Sequence, residues 1–276
     1  MKQFGNKTLL SAAITAALTL ASASANASFA PFTVNEGSVV GTPANSFVAG
    51  KLTGNYVEDV TLNSNGTFTS KILFNAGTFG DINGSTIPVS YLTSAVTPAA
   101  GTNAYALYGI VMGSGTFAAS STGTVFTFTP GGSLTLTIDP TNDTSFGTTT
   151  GVTGGAGDDY DIGSGTVTGG GGTLSNTCTS TTSINCGSFG TNTSLALTPL
   201  GTNFFTAPIP FYNLSLASGQ FDFIDVTKTG LQRTTGSLDA TFVSSATTVP
   251  EPESIALFGI GLLSLGAGLR RRKQAL

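Results

Sequence analysis

The sequence predicts an all-β body, either a β-sandwich or a jelly-roll-like domain, and three observations carry that prediction. Thr, Ser, Gly, Val and Phe dominate the long middle of the chain, a composition that penalises helix and suits a half-buried pleated surface. Short stretches alternate apolar and polar side chains at period two, as strands with one core face must. Gly, Asn-Gly and Asp-Pro clusters separate those stretches at the spacing of β turns.

In chain order, the first element is an address. Lys2 and Lys7 form a positive start, Leu9 to Leu20 an apolar run, and Ala25-Asn26-Ala27 a small-residue cleavage site. Residues 1–27 therefore read as a secretory signal peptide. The mature chain begins near Ser28, with Ala30 as a second boundary. Residues 28–248 form the exported body, long enough for one large all-β domain or two small ones, of which one large domain is expected.

Within the body, Tyr56–Leu62 and Thr67–Phe74 flank Asn65-Gly66 and read as a hairpin with a type I′ turn. Phe68, Ile72 and Phe74 share its core face. Ala104–Met112 is apolar on both faces and reads as a central strand, while Val125–Thr129 and Leu134–Ile138 alternate. Gly115 and Gly131-Gly132 punctuate them.

From Asp139 to Gly172 turns and glycines take over, and carboxylates concentrate: Asp139, Asn142, Asp143, Asp158, Asp159 and Asp161. Closely spaced Asp and Asn among glycines can wrap oxygens around calcium. The other reading is an exposed acidic loop with no ligand, since a glycine-rich calcium repeat works through stacked copies and this is a single one. No other cofactor is expected. Cys178 and Cys186, the only cysteines, are expected to close a surface loop as a disulfide in an exported chain. Phe204, Phe205, Phe211 and Tyr212 are either core or a sugar-stacking face.

Charge narrows the partners. The whole chain carries −4, but six of its ten basic residues sit at the two ends. The body has only Lys51, Lys71, Lys228 and Arg233 against twelve carboxylates, a net −8. Such a surface cannot neutralise phosphates, which excludes nucleic acid and anionic lipid as partners. With no His anywhere, the commonest general base is missing, and the chain is expected not to be an enzyme. A carbohydrate-binding module and, behind it, a glycoside hydrolase using Glu36, Glu58 or an Asp pair are the alternatives.

Residues 249–276 are a second address. Val249-Pro250-Glu251-Pro252 cannot continue a sheet and resists helix. Ile255–Leu269 is an uncharged run of 15 residues, which as a helix spans roughly 22 Å of a hydrocarbon core about 30 Å thick. Arg270, Arg271, Arg272 and Lys273 follow and hold the tail on the cytoplasmic side. These three blocks in this order resemble the PEP-CTERM sorting signal of exopolysaccharide-producing Gram-negative bacteria. That resemblance implies processing by exosortase near the Pro-Glu-Pro, an inner-membrane-anchored precursor, and release to the cell surface or matrix. Membrane contact is then expected only through the C-terminal helix before processing.

The body adds a second resemblance. Ala30-Pro31-Phe32-Thr33-Val34, Leu73-Phe74-Asn75-Ala76-Gly77, Leu195-Ala196-Leu197-Thr198, Phe204-Phe205-Thr206-Ala207-Pro208, Pro210-Phe211-Tyr212, Gly219-Gln220-Phe221-Asp222 and Gly236-Ser237-Leu238-Asp239-Ala240-Thr241-Phe242 are similar to flocculation-associated PEP-CTERM proteins. The implied role is a non-catalytic surface or matrix protein that aggregates cells with exopolysaccharide in flocs or biofilm.

Overall fold

The computed structural model describes residues 29–94, 103–145, 151–155, 157–178, 185–218 and 222–243. The expected signal peptide over 1–27 and sorting segment over 249–276 lie outside the described residues. In order, the strands are β1 (Phe32–Asn35), β2 (Ser46–Ala49), β3 (Lys51–Leu62), β4 (Thr67–Gly80), β5 (Ala106–Ala119), β6 (Gly123–Asp139), β7 (Thr144–Ser145), β8 (Thr153–Gly154), β9 (Tyr160–Ser175), β10 (Gly187–Thr193), β11 (Ala196–Leu197), β12 (Phe205–Ala207), β13 (Asn213–Ser218) and β14 (Gly230–Val243).

The main sheet runs β10-β13-β14-β3-β4-β5-β6-β9, and β9 pairs back onto β10. Eight antiparallel strands thereby close an up-and-down barrel, with β11 continuing the course of β10 along β9. The all-β class is as predicted. The arrangement differs from the expected sandwich or jelly roll, because the last strand of the barrel pairs with the first strand of the barrel: β14 lies along β3 from Gly230↔Leu62 to Thr241↔Lys51. Sandwiches and barrels share the same alternation and turn spacing, so a seam joining such distant segments leaves no local trace.

The β3–β4 hairpin forms as predicted, but its turn is of another kind. Asn63 closes a four-residue turn by accepting from the Gly66 N–H at 3.1 Å, and only Gly66, at φ 78, is left-handed there. That is a turn followed by a left-handed glycine rather than type I′.

Two stretches read as punctuation are strand instead. Gly131-Gly132 is a register shift within the continuous β6, and the glycine-rich Gly163–Gly172 lies inside β9. The reason is space: a Cβ on Gly172 would stand 2.6 Å from the Ser188 carbonyl and 2.8 Å from the Phe189 Cβ. β9 has shed its side chains where its neighbours crowd in.

Alternation sends Tyr56, Val60, Leu62, Phe68, Ile72, Phe74, Val111, Phe126, Phe128, Leu134 and Leu136 into the core. One end is plugged by a small sheet, β12-β1-β2, and by the short helix Pro199–Phe204. Thr198 caps that helix by accepting from the Gly201 N–H at 3.1 Å, and Pro199 supplies a first-turn residue that needs no partner. Phe32 meets Phe242 at 4.6 Å, and Phe205 stacks on Phe211 at 4.9 Å. Phe204 and Phe205 are thus core, fully buried in the plug, with Phe211 and Tyr212 packed partly against it. The opposite end carries the turns at Ser64–Gly66 and Ser120–Thr122 and the Cys178–Cys186 loop.

Candidate functional site

At the plugged end, the β6–β9 connection gathers part of the acidic set. Carboxylate oxygens of Asp139, Asp143 and Asp158 lie within 4.8 Å of one another. Asp139 is wholly buried and already committed: Oδ1 accepts from the backbone N–H of Thr141 at 3.1 Å and of Asn142 at 2.6 Å, and Oδ2 from that of Thr144 at 2.9 Å. Asn142, at φ 52, turns the chain beside it. Asp158 accepts from the Thr141 hydroxyl at 2.8 Å.

Asp159 touches the cluster through Thr144, from whose hydroxyl it accepts at 3.1 Å while the Thr144 N–H serves Asp139. Asp159 accepts from the Tyr108 hydroxyl at 2.7 Å and Asp161 from the Thr137 hydroxyl at 2.8 Å. Burial raises the Asp159 carboxyl above the usual carboxylate range. Burial, joined by the hydrogen bond to Asp159, pushes up the Tyr108 hydroxyl. A divalent cation here would have Asp143, Asp158 and the remaining lone pairs of Asp139 as its carboxylate ligands, and backbone carbonyls and water would supply the rest of the roughly six to eight oxygens calcium takes.

At the far end, Cys178 and Cys186 are joined as a disulfide, their Cα atoms 5.4 Å apart. The bridge closes the β9–β10 connection beside the bond from the Ser175 N–H to the Cys186 carbonyl at 2.8 Å. Next to it lies an open groove of about 490 Å³ lined by Ser120, Thr124, Asn176, Phe223, Asp225 and Thr227 among others.

Inside the barrel, Glu58 stands on the core face of β3, where Ser70 donates to its Oε1 at 2.6 Å and its Oε2 has no hydrogen-bond partner. Around it Val60, Phe68, Phe126, Phe128 and Phe189 leave room for about a single water. Burial is the main cause that pushes the Glu58 carboxyl up to about 7. Burial likewise raises the Tyr56 hydroxyl, two residues away on the same face. Sequence reasoning weighed Glu58 only as a catalytic acid. Parity with Tyr56, Val60 and Leu62 was the signal that places it inside.

Glu36 is the other buried glutamate. Its carboxylate accepts from Asn45 Nδ2 at 2.6 Å, Ser90 Oγ at 2.5 Å, the Tyr91 N–H at 3.0 Å and Tyr105 Oη at 2.9 Å. This ties the plug to the barrel mouth.

Among the described residues no helix is long and apolar enough to cross a membrane, and the sorting residues Val249, Pro250, Glu251, Pro252 and Arg270 to Lys273 lie outside them. No curated protein and no solved structure matches the chain. Residues 248–273 match the family model described as the PEP-CTERM protein-sorting motif. The chain thus carries a PEP-CTERM sorting signal behind its β-barrel, the mark of an extracellular protein that exosortase processes from a membrane-anchored precursor and releases to the cell surface.

Proposed function

We propose that this chain is a non-catalytic surface or matrix protein which, once sorted, helps cells and their exopolysaccharide aggregate into flocs or biofilm. The observation that carries this reading is the union of a sorting motif with a barrel filled by its own side chains. Other molecules meet the outer wall and the turns, which are rich in Thr, Ser and Asn. Hydroxyl and amide groups of that kind suit hydrated sugars, and weak contacts suffice when many copies share one surface. Both glutamates of the body are buried, which supports this role over a glycosidase.

Deletion of the gene tests the proposal. Cells should remain viable and secrete polysaccharide, yet settle more slowly and retain less of it as aggregates. A deletion strain that settles and retains matrix as the parent does overturns the reading.

The groove of about 490 Å³ beside the disulfide favours one second reading, a carbohydrate-binding module. Phe223 offers an apolar face there among Ser, Thr, Asn and Asp side chains, the mixture that small-ligand clefts use. Saturable binding of one defined polysaccharide, lost on Phe223→Ala, would support it.

A further inference from the structure

The chain leaves the barrel for its sorting signal at the plugged end. β14 finishes at Val243 opposite Asn213, on the side where β3 starts at Lys51 opposite Gly80. The first described residue is there too, with the Phe29 N–H bonded to the Ile82 carbonyl at 3.1 Å.

That same end bears a concentration of exposed apolar side chains. Ile209 is 85% exposed, Val40 76% and Val89 58%, with Val48, Leu200 and Val243 also projecting. They sit on the turn after Ser38, on β2, on the loop after β4, on the short helix, on the β12–β13 connection and at the end of β14. Val125 lies on the barrel wall, and Met112 and Leu231 share a shallow polar depression there with Asp59, Thr61, Thr69 and Lys71. Scattered exposed apolar residues are ordinary, whereas a set gathered at one end of a molecule marks a contact.

The tether decides what they meet. Between Val243 and Ile255 lie residues 244–254, eleven residues reaching at most about 40 Å when fully extended. A barrel of 12-residue strands such as β3 is roughly 30 Å tall once the strands tilt. Turning the far end to the bilayer would use most of the tether along the barrel wall. We propose that the plugged end faces the membrane while the precursor is anchored, and that its exposed Val, Ile and Leu side chains rest on a zwitterionic lipid surface.

Charge selects the surface. Asp81, Asp143 and Asp158 belong to the same end, so anionic headgroups and a second copy of this face are both repelled. Apolar contact with neutral headgroups remains, and membrane contact extends beyond the sorting helix.

The test uses the full-length precursor in phosphatidylcholine vesicles, with a fluorophore on Val40→Cys or Ile209→Cys and, as the far-end control, on Ser121→Cys. Lipid-borne quenchers near the headgroups should quench the first two several-fold more than the third. Equal quenching at both ends, or the reverse order, overturns the orientation. In a background of Val40→Asp, Val89→Asp and Ile209→Asp, all exposed positions, a probe at Ser46→Cys should lose its quenching towards the far-end level. Unchanged quenching there would mean that the tether alone holds the end near lipid, and overturns the contact. Crosslinking between copies that rises with protein density while lipid quenching stays absent would identify self-association and overturn it as well.

Discussion

Ser70 donates its hydroxyl to Glu58 Oε1 at 2.6 Å inside the barrel, and among the described residues it is the one hydrogen bond to that buried carboxyl. The second oxygen faces phenylalanine rings. A carboxyl so placed is easier to keep neutral than charged.

Stability should therefore fall as pH rises. Burial lifts the folded Glu58 carboxyl from 4.5 to about 7. Below the unfolded value both states hold the proton and nothing is lost; between the two values only the unfolded chain ionises; above about 7 the folded chain must hold a buried charge. The full loss is on the order of 3 kcal/mol. Melting temperatures measured from pH 4 to 8 should decline, and Glu58→Gln should flatten the curve. Identical slopes in the two proteins would remove Glu58 as the cause.

Glu36 should matter more for the plug than for the barrel wall. Glu36→Ala leaves the donors from Asn45, Ser90, Tyr91 and Tyr105 short of an acceptor, at a cost of about 3 kcal/mol or more. Amide hydrogen exchange should accelerate first in Phe32–Asn35 and Ser46–Ala49, ahead of Thr67–Gly80. Uniform acceleration across all three would contradict a local tie.

The disulfide closes a short loop, with a sequence separation of 8. Loop-closure entropy for so small a ring is worth about 2 to 3 kcal/mol. Cys178→Ser with Cys186→Ser should lower the denaturation midpoint by that amount, and the exported wild type should label with no thiol reagent unless reduced. Stoichiometric labelling without reductant would refute the bridge.

Sorting should depend on Pro250, Glu251 and Pro252. Their replacement by alanine should leave an unprocessed precursor in the membrane fraction, identified by intact mass. Normal release of that variant would show that another segment is read.

The strands were largely legible because burial on one face imposes period two. Phe68, Ile72 and Phe74 fall on the core face for that reason alone. Barrel closure was not legible: Gly230 meets Leu62 across the body, and neither segment encodes its partner locally. The glycines of β9 misled, since sequence shows a missing side chain but not the Phe189 that displaces it. For the acidic set, composition found the concentration, but only coordinates separate Asp143 and Asp158 from Asp159 and Asp161, which accept from Tyr108 and Thr137 on other strands, Asp159 from Thr144 as well. The C-terminal motif was legible because it is written in the order of residues along the chain.

The seam between β14 and β3 has a mechanical meaning. β14 is the strand that leads to the C-terminal attachment, and it is laced to β3 from Gly230 to Thr241 and to β13 from Val243 to Asp239. A pull on the C-terminus runs along β14, across the direction of those hydrogen bonds. The bonds are then loaded side by side and must yield together, not one after another as in unzipping. In the anchored precursor, a pull from the membrane on β14 therefore meets the whole seam at once, and the barrel resists being drawn out into a thread.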